Sequence, residues 1–545
     1  MAKNKSSELV RKGTFLIIIS VVIKFIGMIY RIPLTNMLGD QGNGSYVLAF
    51  QIYSFVIMFS TYGVSQAISR MISQRLVHRE YANAHLVFRV GFLYSLAMGA
   101  AIFCLLHFGS DWLAGKVFND ISASAAVKTL APATFLVSVA CSFRGLFQGY
   151  EDVRPSSYAD LIDQILHAGI SILLVYITIH SVENAAAVVA DGRYPVLEQA
   201  ASDAASGTMY GALGGLLFLT GIFFFFRMKS KVFAAPVSQA TETWKQVLSI
   251  FLLTVVPMML SATVANLREM IDTALFNVLM PLKGYDAAFI GRQRGILGGK
   301  FVVLTNMPIA ALGTFSMMLI PGIAAAITRG DRNDIQVHIE TLIKMVLMLA
   351  IPAAVGLSVL GEPIVHWLYP NASDGGELFL TGSFIVVFYA VSQTSASILQ
   401  GLGKMRNPLI NAAIGLCVST PVLVICVLVF DAKAYSLVAS LLAFSFTIAF
   451  LNFRDMVKYS GFRVNLIGLF LPPVVCSAIM GGIAWLSFRG IHAVIHSNTV
   501  SILGSIMLCV AVYFLMILNS SWFTRKQIEN LPYGRYMAKL RFRKD

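Results

Sequence analysis

The sequence predicts an all-α polytopic membrane protein of about fourteen transmembrane helices, built as two pseudo-symmetric six-helix lobes followed by two further helices. Three observations carry that expectation. The composition is too apolar for water, the apolar runs have membrane-crossing length between basic loops that alternate in side, and one short phrase is written twice.

Residues of the apolar set make up 57% of the 545-residue chain and charged residues 12%, with a mean hydropathy of +0.74. Soluble globular proteins carry about 25% charged residues, so this chain cannot cover a soluble surface. Runs of about 20 apolar residues, enough to cross the hydrocarbon core as helix, do not alternate in period two as barrel strands would.

Taken in order, the first run, from Phe15 to Ile29, continues into Lys24-Phe-Ile-Gly27-Met-Ile-Tyr-Arg31-Ile-Pro33 rather than a small-residue cleavage site. It reads as a retained helix, 14–35. Five more spans complete a first set near 45–69, 86–108, 124–147, 157–180 and 206–226. A second set follows near 247–279, 298–327, 338–360, 377–400, 408–430 and 433–453, and two more spans near 466–488 and 500–519. If the N-terminus lies inside, alternate loops divide the loop and tail Lys and Arg into 26 inside and 7 outside. The positive-inside rule then puts both termini in the cytoplasm. The boundaries expected are 1–235 for the first lobe, 236–457 for the second, 458–520 for the added helices and 521–545 for a basic cytoplasmic tail.

The net charge of +14 sits in those short inside loops and the tail. It points to anionic membrane lipid rather than nucleic acid. Cys104, Cys141, Cys417, Cys426, Cys476 and Cys509 fall in apolar runs without a CxxC pair, so neither a disulfide framework nor a metal site is expected. His492 and His496 lack the glutamate of a zinc protease helix, and Gly401-Leu-Gly-Lys404 lacks the frame of a phosphate-binding loop.

The repeated phrase is Gly63-Val-Ser-Gln-Ala-Ile-Ser-Arg70, echoed as Gly322-Ile-Ala-Ala-Ala-Ile-Thr-Arg329. A second echo pairs Gln148-Gly149 with Gln400-Gly401. Each is expected at the cytoplasmic end of the second or fourth helix of its set. An even number of helices per copy gives parallel repeats, an architecture of transporters that alternate access to a site between lobes.

Ionisable residues inside spans cost about 2.5–3.5 kcal/mol at the centre and so face a cavity or a partner. Lys24 and Arg31 lie two turns apart on the first helix, and Arg268, Glu269 and Asp272 lie on the seventh. Arg268 and Asp272 have the spacing of an ion pair. The cations suit a diphosphate headgroup, while mutual neutralisation of the seventh-helix charges is the alternative. Asp160 and Asp163, with His167 one turn on, are read as a proton or cation site or as hydrated groups near a span end. Lys300, Arg89 and Lys344 are expected at the interface.

Arg11-Lys-Gly-Thr-Phe, Lys24 to Pro33, Leu38-Gly-Asp-Gln-Gly-Asn-Gly44, Gly63–Arg70 and Arg144-Gly-Leu-Phe-Gln148-Gly149 resemble the polysaccharide-exporter branch of the multidrug/oligosaccharidyl-lipid/polysaccharide (MOP) flippase superfamily. The likeness is to the stage V sporulation protein B and Gram-positive lipid II flippase types, and it covers essentially the whole chain. It implies a bacterial plasma-membrane protein, not an enzyme, that moves an undecaprenyl-diphosphate-linked saccharide to the outer leaflet, with cell-wall or polysaccharide synthases as candidate partners. No cofactor is implied; the coupling ion, Na⁺ or H⁺, stays open. The resemblance also implies an arginine in the first helix: Lys24 fills the first place of that spacing, and Arg31 is offset by one residue from the second. Two rivals are a cation-coupled multidrug exporter of the same superfamily, which prefers an acidic cavity, and a membrane-embedded glycosyl- or acyltransferase. The latter needs a patterned carboxylate or histidine pair on an outer loop, and Glu183, Asp191 and Glu198 show no pattern.

Overall fold

The computed structural model describes residues 19–182, 195–234, 240–312, 332–520 and 522. Every regular element among them is helical. The chain divides into two compact units, Met1–Gly295 and Ile296–Asp545.

The first unit begins with α1 (residues 19–29) and α2 (Arg31–Thr61). Counted as helix, Ile19–Val77 runs for 59 residues, or about 88 Å at 1.5 Å per residue, which is about three times a hydrocarbon core. The break is at Gly39, whose φ of 64° and ψ of 179° are non-helical. Beyond it the chain doubles back. Tyr30 and Tyr46 meet hydroxyl to hydroxyl at 3.4 Å, and the Arg31 guanidinium lies 5.4 Å from the Phe50 ring centroid. In a straight helix those residues would stand about 24 and 28 Å apart along the axis.

Helix α3 (Val64–Val77) starts after Gly63 in the left-handed region, and α4 (Tyr81–Asp111) runs into a π-helical turn at Trp112–Val117. Next come α5 (Ser124–Gly149), α6 (Arg154–Val182), α7 (Pro195–Lys229) and the short α8 (Lys231–Ala234). The phrase Gly63–Arg70 was expected to close the second helix; it opens a separate one instead. Ser65 on α3 donates to the Cys141 carbonyl of α5 at 2.7 Å. A Cβ on Gly145 would lie 2.7 Å from Ile68 Cβ, and one on Gly149 would lie 3.0 Å from Ile72 Cβ. Gly145-x-x-x-Gly149 is thus the small-residue groove that lets α3 approach.

Helix α9 (Trp244–Leu282) opens on a capping box made by Thr243 and Gln246, and α10 (Ala287–Ile296) brings the first unit to its end. The repeat boundary read near residue 235 concerns sequence symmetry. The packing division falls later, because α9 packs along α2 and residues of α10 touch the α2 and α4–α5 connections.

The second unit holds a π-helical turn (Leu297–Phe301), α11 (residues 302–312), α12 (Arg332–Leu368) and α13 (Phe379–Gly382). It continues through α14 (Ile385–Gly401), α15 (Arg406–Leu428), α16 (Ala434–Ser460), α17 (Leu466–Ile495) and α18 (Asn498–Asn519). Buried amides tie α15 to α16: Asn411 donates to Asn452 at 2.9 Å and to Asp455 at 3.1 Å. Such pairings are how polar groups survive inside apolar bundles. Lys300 is not interfacial as expected; it is 1% exposed, and its ammonium donates to the Ala372 and Asp374 carbonyls at 2.7 Å each.

Eleven helices among the described residues are long and apolar enough to cross a membrane, twelve with the bent Gly376–Gly382 and Ile385–Gly401 pair. The second copy of the repeated phrase, Gly322–Arg329, and nearly all of the basic tail lie outside the described residues.

Candidate functional site

Three groups of polar side chains stand inside or at the ends of the first unit's helices. The first is built on α1, α2 and α9. Arg268 and Asp272 form the ion pair their spacing predicted, at 2.6 Å, with side chains 12% and 3% exposed. Glu269 turns elsewhere and accepts from Gln51 of α2 at 2.8 Å. The Gln51 amide oxygen in turn accepts from Thr273 at 3.1 Å. The seventh-helix charges therefore do not simply neutralise one another; Glu269 is held by an amide from another helix. Gln51 was not singled out from the sequence, although a lone amide in Leu48-Ala-Phe-Gln51-Ile52 carries the same signal as an intramembrane charge. Arg31 is half-buried against Phe50, the residue beside Gln51. Lys24 is exposed on α1. No contact joins Lys24 to Arg268 among the described residues.

The second group runs along one face of α6, where Asp160, Asp163 and His167 follow at one-turn intervals. Arg144 of α5 pairs with Asp160 at 2.6 Å, so Asp160 is bound to a neighbouring helix rather than merely hydrated. Gly211 of α7 faces Asp163 so closely that a Cβ there would collide with its carboxylate. His167 is buried and stands 3.3 Å from both the Tyr30 and Thr208 hydroxyls. Tyr30 continues to Tyr46. A chain of exchangeable protons thus links α6, α7, the α1–α2 joint at Tyr30 and α2. No group of three or more metal-ligating side chains occurs among the described residues.

The third group closes one end of the unit, where the fold-back at Gly39 within α2, the α4–α5 connection and α10 meet. Arg294 forms an ion pair with Asp120; the two residues are 3% and 7% exposed. Burial alone would raise the Asp120 pKa, but the Arg294 guanidinium and two hydrogen bonds from Ser122 outweigh it and hold the carboxyl below its ordinary value. The Nε and Nη1 atoms of Arg294 are buried with no hydrogen-bond partner among the described residues. Around the pair, Asn43 donates to the Gly295 carbonyl at 3.0 Å and Asn277 donates to the Phe118 carbonyl at 2.7 Å. Backbones touch here: a Cβ on Gly44 would collide with the Gly291 carbonyl, and one on Gly295 with that of Asp40. Sequence reasoning missed this closure because its partners are up to 252 residues apart and each looks like an ordinary loop residue.

Residues 9–281 match the family described as "Polysaccharide biosynthesis protein", which is half of the chain. The chain belongs to this family. It is a multi-pass membrane protein, and the resemblance to polysaccharide exporters and lipid II flippases read from its motifs is borne out. The chain is similar to the lipid II flippase MurJ of Bacillus subtilis (strain 168), with 26% identity over 428 residues, 76% of each chain. Two solved structures share its fold. An inward-facing MATE family multidrug resistance transporter of the MOP superfamily aligns with a TM-score of 0.66 and 14% identity over 82% of this chain and 98% of its own. Lipid II flippase MurJ in an inward closed conformation aligns at 0.64 and 16% identity over 92% and 98%.

Proposed function

We propose that this protein is a flippase, not an enzyme, that moves an undecaprenyl-diphosphate-linked saccharide from the inner to the outer leaflet by alternating access. The observation that carries the reading is the set of cations set into membrane helices. Lys24 is exposed on α1, and Arg268, tied to Asp272 on α9, belongs to a network that reaches α2 through Gln51. A diphosphate entering the membrane sheds water, and cations with bidentate or point-charge geometry replace it. Membership in the polysaccharide biosynthesis family and the likeness to a lipid II flippase over three quarters of the chain support the same substrate class.

Both termini face the cytoplasm in this reading, with fourteen crossings. Two observations raise the count above the helices of plain crossing length: the fold-back at Gly39 and the 39-residue α9. The α6 chain of Asp160, Asp163 and His167 is the coupling path for H⁺ or Na⁺. That path also favours the second reading, a cation-coupled multidrug exporter.

One complementation experiment tests the proposal. The wild-type gene should rescue a strain depleted of its lipid II flippase, and Lys24→Ala and Arg268→Ala should not, at matched membrane levels. Losing Arg268 leaves Asp272 without its partner in a buried pair, a cost of roughly 3–5 kcal/mol, and losing Lys24 takes a charge from the headgroup. Lys24→Arg should keep partial activity because the charge survives while its geometry changes. Full rescue by Lys24→Ala would remove this lysine from the headgroup site. Drug resistance without rescue would favour the exporter.

A further inference from the structure

The second unit contains a cavity of about 320 Å³ between the first part of α12, the α16–α17 turn, the start of α17 and Trp522. That is the lower end of the range for small-molecule sites, roughly 300–1,000 Å³. It does not involve the polar groups described above, and α17 and α18 stand outside the two six-helix sets.

The walls are charged. Lys344 of α12 lies deep, with its side chain 11% exposed and its ammonium 2.6 Å from Glu340, and it donates to the Trp522 carbonyl at 2.7 Å. Arg463 stands at the mouth, exposed. Its position is set by Gln336 of α12, which clamps the turn from both sides. The Gln336 amide donates to the Gly461 carbonyl at 2.7 Å, and its oxygen accepts from the Arg463 backbone N–H at 3.1 Å. Buried Phe462 anchors the same turn. The backbone is thus held at three consecutive residues while the guanidinium pairs with no carboxylate among the described residues.

Beside this charged mouth the surface turns apolar at once. Leu466, Ile467 and Leu471, on the first turns of α17, are 56%, 73% and 54% exposed. α17 is itself apolar enough to cross a membrane, so these side chains lie against acyl chains. A cationic cavity opening directly onto such a face fits a molecule that is an anion at one end and hydrocarbon at the other. Among the described residues of the lining, two cations and one carboxylate leave one positive charge in excess, which matches a single phosphodiester. The Glu340 carboxylate opposes a second negative charge, and so opposes a diphosphate.

We propose that this cavity binds the phosphodiester headgroup of a monoanionic membrane phospholipid, with Arg463 forking onto the phosphate and the acyl chains lying along Leu466, Ile467 and Leu471. The site lies at the end of the unit that carries Arg454, Lys458 and Arg463, which the charge count assigns to the cytoplasmic leaflet, where anionic lipid attracts basic side chains.

The test is retention of added lipid by the full-length purified protein, read by native mass spectrometry, and it does not depend on transport. Phosphatidylglycerol should be retained in preference to phosphatidylcholine. Arg463→Ala should weaken that retention roughly tenfold, the loss of one charge-assisted contact. Ile467→Ser combined with Leu471→Ser should weaken it with Arg463 intact, and leave the melting temperature unchanged because both residues are exposed. Equal retention of the two lipids, or undiminished retention by Arg463→Ala, would overturn the proposal. So would competition by sn-glycerol 3-phosphate as strong as that of the lipid, which would mean a soluble phosphate site. Stronger binding of undecaprenyl diphosphate than of phosphatidylglycerol would assign the cavity to the transported substrate and overturn it as well.

Discussion

Replacing Asp120 with asparagine should open the end of the first unit that Arg294 closes. In the wild type the pair is almost wholly buried, and two of the three guanidinium nitrogens of Arg294 already lack a partner among the described residues. The carboxylate is the counter-ion of that charge. Asparagine preserves size and can still accept from Ser122, so the loss is confined to the charge. Removing one partner of a buried pair costs about 3–5 kcal/mol. With the lower figure and about 1.4 kcal/mol per factor of ten, the ratio of closed to open states falls roughly 100-fold. A cysteine at position 277 reads this out, since Asn277 is buried and bonded across the same junction. In a background without the six native cysteines, Asp120→Asn should speed labelling by a membrane-impermeant maleimide by up to about 100-fold. Replacing the pair by apolar residues, Asp120→Leu with Arg294→Met, should return labelling to the slow rate while abolishing transport, because an apolar pair closes without a charge to release. The pH dependence has a definite sign. The Asp120 pKa is lowered in the folded protein, so its contribution is complete above the ordinary carboxylate range and is lost only as pH falls through the lowered value. Labelling of the wild type should therefore stay slow from neutral into mildly acidic pH. Unchanged labelling in Asp120→Asn would show that the junction does not open, and would refute the reasoning.

Reporter fusions after residue 190 should read outside and after residue 235 inside; the reverse would overturn the topology. Gly145→Leu should crowd Ile68 and Ser65 and destabilise the protein by about 1–3 kcal/mol, seen as a lower melting temperature in detergent; an unchanged value would mean that α3 does not need the groove. If the two sequence copies pack alike, cysteines at 327 and 397, the counterparts of Ile68 and Gly145 in the two echoes, should form a disulfide on mild oxidation; failure to cross-link would count against the repeat.

The fold was legible because its signal is local. A crossing helix needs only length and apolarity, and the loops between crossings carry their side in their charge. The Arg268–Asp272 pair was legible for the same reason, as both partners sit within one turn of one helix. Gln51 was not, though its partners Glu269 and Thr273 lie in a helix already suspected. A contact 218 residues apart leaves no periodicity behind, and only the cost of an amide in hydrocarbon marks it. Lys300 was misplaced by a rule that serves exposed lysines. A lysine near a span end reaches water when it can, but carbonyls released after α12 offer this one acceptors inside the protein.

The repeated phrase was found as text, and its physical content is a joint. In the first copy the two echoes are not independent landmarks, because Gly63–Arg70 supplies the ridge and the α5 stretch Cys141–Gly149, which ends in the second echo, the groove. Ser65, Ile68 and Ser69 of one lie directly on Cys141, Gly145 and Gly149 of the other. Small residues four apart admit a helix backbone at close range, and a branched ridge residue fills what they leave open. In the first copy each stretch thus constrains the other. By the spacings of the two echoes, Gly145 and Gly149 correspond in sequence to Ser397 and Gly401, again small, and Ile68 to Ile327, which lies outside the described residues. Residues kept small on one helix and branched on its partner are what a packing joint requires; a headgroup site would instead keep charge and hydrogen-bonding groups. The contacts of the first copy are therefore those of a scaffold, and the proposed substrate contacts lie elsewhere, at Lys24, Arg31 and Arg268.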